Sequence, residues 1–351
     1  MKHPAGLTSV SLSKYPYTTI RGYAFAGVKA SGLTLPVDDH FFLPKTGNFY
    51  TVDYYNQKRV LFFLKSMSNT AGVKGFTGVL LHGTPGTVYR FQTPSETGTY
   101  VSSQTSLLKG IGENGATYAT YDSSKEFIYH FYPSTGNFSS GLGGHTAFGE
   151  TYLVVPKDDD GSYPGYIKYG GIINNNNLWV ADTRLHNGNY DELNRISGVK
   201  GTVEYDPETK TLTMNNATIT AATRGVFQDV GDLTVNVLGT NKIYVSNSDS
   251  NNGYGIYAYI NSDLTISGPG SLRIDVQGGT AINGGEKLTL DGGLQLQVSG
   301  YSKGSNIGIG INYYSDLIMS GANTSIGAWG KDKTLYSERG YGTFTMNDGL
   351  A

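Results

Sequence analysis

The chain has 351 residues and a formal net charge of −2, with 15% charged residues, 49 Gly, 27 Tyr and no Cys. The near balance of charge gives no electrostatic footprint for nucleic acid, whose binders usually carry a basic stripe, and the lack of cysteine excludes a disulfide framework or a thiolate zinc site. No apolar run is long enough to span a membrane as a helix, and a Gly- and Tyr-rich, charge-poor chain favours turns and strands.

In chain order, GLTSVSLSKYPYTTIRGYAFAGVKASGLTLP (6–36) holds two equivalent phrases, Val10-Ser11-Leu12 and Leu33-Thr34-Leu35, whose leucines lie 23 residues apart. That period falls within the leucine-rich-repeat range. The segment resembles the leucine-rich repeats of bacterial surface proteins, in which a TTI-x-YAF phrase links one strand to the next. The resemblance implies that Phe25 enters a solenoid core. One and a half repeats cannot bury a solenoid face, which needs roughly three, so residues 1–36 are expected to be the end of an array that begins upstream of Met1.

Residues 37–168 alternate without a period. Strands are expected at NFYTVDYY (48–55), KRVLFFLKS (58–66), TGVLLHG (77–83), TVYRFQ (87–92), EFIYHFY (126–132) and TYLVVP (151–156). GTPGT (83–87) carries the turn chemistry of a hairpin between its neighbours. This predicts a sandwich-like or irregular antiparallel β module. GFTGVLLHGTPGTVYRF, SLLKGI and ETYLVVP are similar to a β-rich module that follows leucine-rich repeats in such surface proteins. KDDDGSYPGYIKYGGIINNNN (157–177) reads as the junction.

From 169 to 351 one phrase recurs: TLTM, DLTV, DLTI, KLTL, DLIM and TFTM. Its anchors are Leu212, Leu233, Leu264, Leu288, Leu317 and Phe344, spaced 21, 31, 24, 29 and 27 residues apart. Each interval has room for three short strands: the anchor, a second run such as SLRIDV (271–276), and a Gly-Ile or Ala-Ile element at Gly255-Ile256, Ala281-Ile282 and Gly308-Ile309. This predicts a parallel β-helix, right-handed by the crossover rule. Leu264 and Ile266 should point inward and Thr265 outward. The open end of such a column needs a cap, and NGNYDELNRISG (187–198) is expected to supply it as a short amphipathic helix. The fold class is therefore all-β.

LWVADTRLHNGNYDELNRISGVKGTVEYDPETKTLTMNNATIT (178–220), with the DLT rungs after it, resembles the β-helical repeat regions of large secreted and surface proteins of gut Bacteroidetes and Firmicutes. Those regions are related to β-helical carbohydrate-binding domains. The resemblance covers about half of the chain. It implies an extracellular or cell-surface location, with any export signal outside this sequence, and polysaccharide or host glycoprotein as partner.

Asp232, Asp263 and Asp316 precede anchors in one register and could begin a calcium-binding column, although Lys287 stands among them and an Asp at a strand start also suits an Asx turn. Asp158-Asp159-Asp160-Gly161 fails the EF-hand pattern, because Pro156 and Ile167 stand where ligands are required; it reads as a turn. A β-helical lyase or glycosidase is the sharp alternative. Arg273 with Asp275, and Glu286 with Asp291, are the pairs to consider, but no dense acidic cluster emerges. The six histidines lack ligand spacing, and GLGGHTAFG (141–149) precedes a strand, unlike a phosphate cradle. Aromatics stand out instead: Tyr254, Tyr257 and Tyr259 in YGIYAYI, Tyr313 and Tyr314, and Trp329. Facing outward, they would form a stacking strip for sugar rings, with Asn and Asp bonding hydroxyls; facing inward or flat, they simply cover a pleated surface. The expected function is non-enzymatic adhesion or carbohydrate binding without a cofactor, with a purely structural spacer as a further alternative.

Overall fold

A computed structural model describes residues 48–67, 121–132, 137–140, 151–158, 160–246, 253–301, 309–337 and 343–346, and short strands within 9–20, 40–42, 72–90 and 107–110. The chain divides into two compact units, Met1–Ile173 and Asn174–Ala351. The division lies inside the stretch expected to be a junction.

The first unit is built on a nine-stranded sheet. Its order is Tyr17–Ile20, Val79–His82, Asn48–Asn56, Leu61–Ser66, Tyr166–Ile172, Asn137–Ser139, Glu126–Tyr132, Thr151–Pro156 and Leu108–Gly110. All neighbours are antiparallel except Leu61–Ser66 and Tyr166–Ile172, which run parallel. Alternation in these strands sends Val52, Phe62, Leu64, Tyr129, Phe138, Leu153, Val155 and Ile167 into one core. Phe62 meets Phe138 edge to face with centroids 4.9 Å apart, the arrangement favoured by the ring quadrupoles.

Three local expectations change here. Val79–His82 and Val88–Arg90 do not form a hairpin with each other: the former pairs with Asn48–Asn56 and Tyr17–Ile20, the latter with Ser9–Ser11. The turn 83–87 between them lies outside the described residues, as do Leu33–Leu35 and GLGGHTAFG. In the supposed leucine-rich segment, the described strands Ser9–Ser11 and Tyr17–Ile20 pair antiparallel with later strands instead of stacking in parallel. The junction also contains a strand, Tyr166–Ile172. Its Ile167 is fully buried, which outweighs the turn chemistry around it. That turn chemistry acts just upstream, where the Ser162 amide donates to Asp160 Oδ1 at 2.8 Å and Gly161 has φ +79°.

The second unit is a parallel β-helix of about four turns within 211–346. Each turn lays one strand on each of three faces. The first face stacks the start of Thr211–Ala221, then Leu233–Leu238, Asp263–Ser267, Lys287–Asp291, Asp316–Met319 and Thr343–Met346. The second stacks the end of Thr211–Ala221, then Thr240–Ser246, Ser271–Gln277, Gln295–Tyr301 and Ser325–Gly330. The third stacks Arg224–Gln228, Gly253–Ala258, Gly279–Gly284, Ile309–Tyr313 and Lys333–Ser337. Leu264 lies over Leu288 and Leu317 on the first face, Ile243 over Ile274 and Val298 on the second, and Val226 over Ile256, Ile282 and Ile311 on the third. All belong to one continuous buried core. As expected, Leu264 and Ile266 face in and Thr265 is half-exposed.

Register departs from the sequence alignment twice, both times by two residues. Leu212 lies over Val235, not Leu233, and Ile311, not Ile309, continues the Ile256–Ile282 column. A two-residue shift keeps every side chain on its face, so the apolar pattern alone cannot reveal it. The corners are tight. At Gly268-Pro269-Gly270, a Cβ on Gly270 would lie 2.6 Å from the Gly239 carbonyl oxygen of the neighbouring rung.

Antiparallel strands close the first rung. Val199–Asp206 pairs with Thr211–Ala221 from Thr211 to Ile219, and the hairpin Asn175–Val180/Thr183–His186 pairs through its first strand with Arg224–Gln228. The helix expected at 187–198 is reduced to one 3-10 turn, Leu193–Arg195. Side-chain groups claim its backbone: Asn189 Oδ1 accepts the His186 amide at 2.9 Å and His186 Nδ1 accepts the Gly188 amide at 3.0 Å, contacts that compete with a helix. Leu193 and Ile196 still enter the core. Asp182, at φ +61°, ties the hairpin to the rung by accepting from the amides of Ala222, Thr223 and Arg224 at 2.6, 3.1 and 2.7 Å.

Candidate functional site

Outward positions of the β-helix are where rungs differ, and the polar ladder on the first face comes first. Asp263, Lys287 and Asp316 occupy one register column. Lys287 Nζ lies 2.6 Å from Asp263 Oδ2, Asp232 Oδ1 accepts the Asp263 amide at 2.9 Å, and Asp316 accepts from the Thr343 hydroxyl. The column that invited a calcium reading holds an ion pair and turn-closing hydrogen bonds, with an ammonium between Asp263 and Asp316. Among the described residues no group of three or more metal-ligating side chains assembles.

The carboxylates weighed for catalysis are spread out and engaged. Arg273 Nε donates to Asp275 Oδ2 at 2.7 Å and Ser299 Oγ to Asp275 Oδ1 at 2.7 Å. Glu286 accepts from the Ser315 hydroxyl at 2.7 Å, and Asp291 accepts the Gly292 amide at 2.7 Å. Glu286 and Asp291 hold corners, and only the Arg273–Asp275 pair stands on an open strand face.

Aromatic side chains form two groups. On the third face Trp179, Phe227 and Tyr257 lie in one register column. Phe227 and Tyr257 stack face to face, 4.3 Å apart and 8° from parallel. Trp179 meets Phe227 edge-on at 5.7 Å, and Tyr254 packs on Tyr257 at 4.8 Å. The Arg184 and Arg224 guanidinium groups lie 4.9 and 5.3 Å from the Trp179 ring, and Arg224 is 4.5 Å from Phe227. Ring faces here are spent on one another and on cations, so this group is largely closed to a stacking ligand. The column then turns polar at Asn283 and Asn312 and ends at Tyr336, with Lys333 Nζ 3.3 Å above its ring.

The second group is open. Tyr244, Tyr301 and Trp329 stand on the second face with 37%, 39% and 47% of their surface exposed. Tyr301 and Trp329 are neighbours at 4.9 Å, inclined by 44°. One column on this face runs Tyr244, Asp275, Ser299, Trp329, and the next runs Lys200, Thr218, Lys242, Arg273, Gln297, Gly327. Aromatic faces thus flank a strip of hydrogen-bonding groups.

Of the residues singled out in the sequence, Tyr254 and Tyr257 belong to the closed group, Tyr259 is exposed on the following turn, and Trp329 belongs to the open group. Tyr313 points inward and is packed in the core at 7% exposure. Tyr314 is half-buried at a corner, its amide donating to the Gly285 carbonyl at 2.8 Å. Sequence reasoning passed over Tyr244 and Tyr301, although in NKIYV the inward Ile243 and Val245 already place Tyr244 outside. It also passed over Trp179, Phe227 and their arginines, which come together only through register.

The fold and surface define a parallel β-helix with an aromatic and polar face open to solvent. No family model, curated protein or solved structure matches the chain.

Proposed function

We propose that the chain is a non-enzymatic, secreted or surface-exposed glycan-binding protein of the kind its resemblance to Bacteroidetes β-helical repeat regions implies. The observation that carries this reading is the exposed Tyr301–Trp329 pair beside the Arg273–Asp275–Ser299 network. An inclined pair of open rings offers apolar faces to sugar C–H surfaces, while the adjacent fixed polar groups select hydroxyl orientation. Rigid strands hold these groups, so little ordering cost accompanies binding. The test is a glycan array of polysaccharides and host-type glycans, followed by titration of hits with Trp329→Ala. Saturable binding weakened about tenfold or more by the substitution supports the reading; an empty array overturns it.

A further inference from the structure

We infer that the second face of the β-helix is built for an acidic polysaccharide lying along the solenoid axis, with its rings held between Tyr244 and Trp329. The inference rests on the glycan-binding reading and adds to it the position, direction and charge of the ligand.

The direction follows from register. Tyr244 and Trp329 share one outward column and are separated by Asp275 and Ser299. Three rung steps put them about 14 Å apart along the axis. A pyranose ring in an extended chain advances by about one rung spacing, so a chain along this column places one ring at each aromatic and the intervening rings over Asp275 and Ser299. A chain running along a rung would meet a strand and then a corner instead. The site is also smooth on one side, because Gly327 stands in the neighbouring column beside Trp329 and leaves its flank without a side chain.

The charge follows from the neighbouring column. Lys200, Lys242 and Arg273 all project outward and are exposed. On the described strand residues of this face they are opposed by one carboxylate, Asp275, which Arg273 already engages. The face therefore carries a net of two positive charges on a chain whose formal net charge is −2. Lys242 has no carboxylate within ion-pair distance among the described residues, and it stands one rung from Arg273 and two residues from Tyr244. An anionic substituent on a sugar stacked at Tyr244 would lie within reach of both cations. A uronic-acid carboxylate and a sulfate ester share this chemistry.

The test is calorimetric titration of the full chain with oligogalacturonides of increasing length, their methyl-esterified counterparts, and chondroitin sulfate oligosaccharides. Variants are Tyr244→Ala, Trp329→Ala, Lys242→Ala and, on the third face, Tyr257→Ala, each checked for an unchanged circular dichroism spectrum. Expected are binding to at least one acidic series that strengthens up to about four units and then levels off, weakening with salt, a loss of tenfold or more in the three second-face variants, and no change in Tyr257→Ala. Preference for the galacturonides or for the sulfated chains distinguishes carboxylate from sulfate recognition and supports the inference either way. Esterified chains binding as tightly as acidic ones, with Lys242→Ala silent, would overturn the acidic ligand while leaving glycan binding intact. Loss in Tyr257→Ala alone would overturn the placement. If neither charged nor neutral sugars bind, the glycan-binding reading falls together with it.

Discussion

Lys287 and Asp263 form an ion pair across one rung step, Nζ to Oδ2 at 2.6 Å, and Asp316 occupies the same column on the other side of the lysine. The hydrogen bond to Asp263 and then its charge, with smaller contributions from Asp232 and Asp316, hold the ammonium above the ordinary lysine value. Both partners are substantially exposed, which limits the gain to about 1 kcal/mol or less. Lys287→Met should therefore lower the melting temperature slightly, and the difference from wild type should shrink toward about 1 M salt as screening removes the interaction. Calcium or chelator added to the wild-type protein should leave the melting temperature unchanged, since an ammonium stands between Asp263 and Asp316 and no group of three metal-ligating side chains assembles among the described residues.

The core columns predict a different scale of effect. Ile274 is fully buried between Ile243 and Val298. Ile274→Ala should cost about 2–5 kcal/mol, because neighbouring rungs cannot collapse into the space. Denaturant titration of the variant checks this, and Ile243→Ala should behave alike, since each rung is stabilised by its immediate neighbours.

Asp182 closes the first rung by accepting three backbone amides. Asp182→Ala leaves those donors to solvent and should cost about 1–3 kcal/mol. Asp182→Asn tolerates the same positive φ, keeps one acceptor and should lose less; the order Ala, Asn, wild type in thermal stability is the expected outcome.

His186 gives the cap a pH dependence. Its Nδ1 accepts the Gly188 amide, and burial pushes its pKa down from 6.5 to about 4. The unfolded chain binds this proton below pH 6.5 while the folded one does not until about pH 4. The contribution to stability is thus present above pH 6.5 and drains away as pH falls toward 4. Melting temperatures of wild type and His186→Gln should be furthest apart near neutral pH and converge across that window. A constant difference would assign the histidine no role in the pH response.

Two glycines separate space from backbone conformation. A Cβ at Gly279 would collide with the Gly253 carbonyl of the rung above, whereas Gly161, at φ +79°, has open space around it. Gly161→Ala should cost about 1–2 kcal/mol from the left-handed backbone alone. Gly279→Ala should cost more, because two stacked backbones must separate.

The recurrence of DLTI, KLTL and DLIM determined the all-β class, the parallel stack and its inward columns, because alternation with period two and a steady supply of corner glycines admit few other structures. On the first face the anchors from Leu233 onward were legible to the residue for the same reason: Leu233, Leu264, Leu288, Leu317 and Phe344 pair as the phrases align. Tertiary structure decided what that pattern leaves degenerate. A two-residue slip preserves facing, so only packing could set Leu212 over Val235 and Ile311 over Ile282. It also replaced the amphipathic helix at 187–198 with turns, once Asn189 and His186 took up the local amides. Outward residues carry no burial signal, so the sequence could name tyrosines but not sort them. Register drew Tyr257 into a stack with Phe227 and left Trp329 and Tyr301 side by side and open to solvent on another face, while Tyr313, two residues after the inward Ile311, follows the strand alternation into the core.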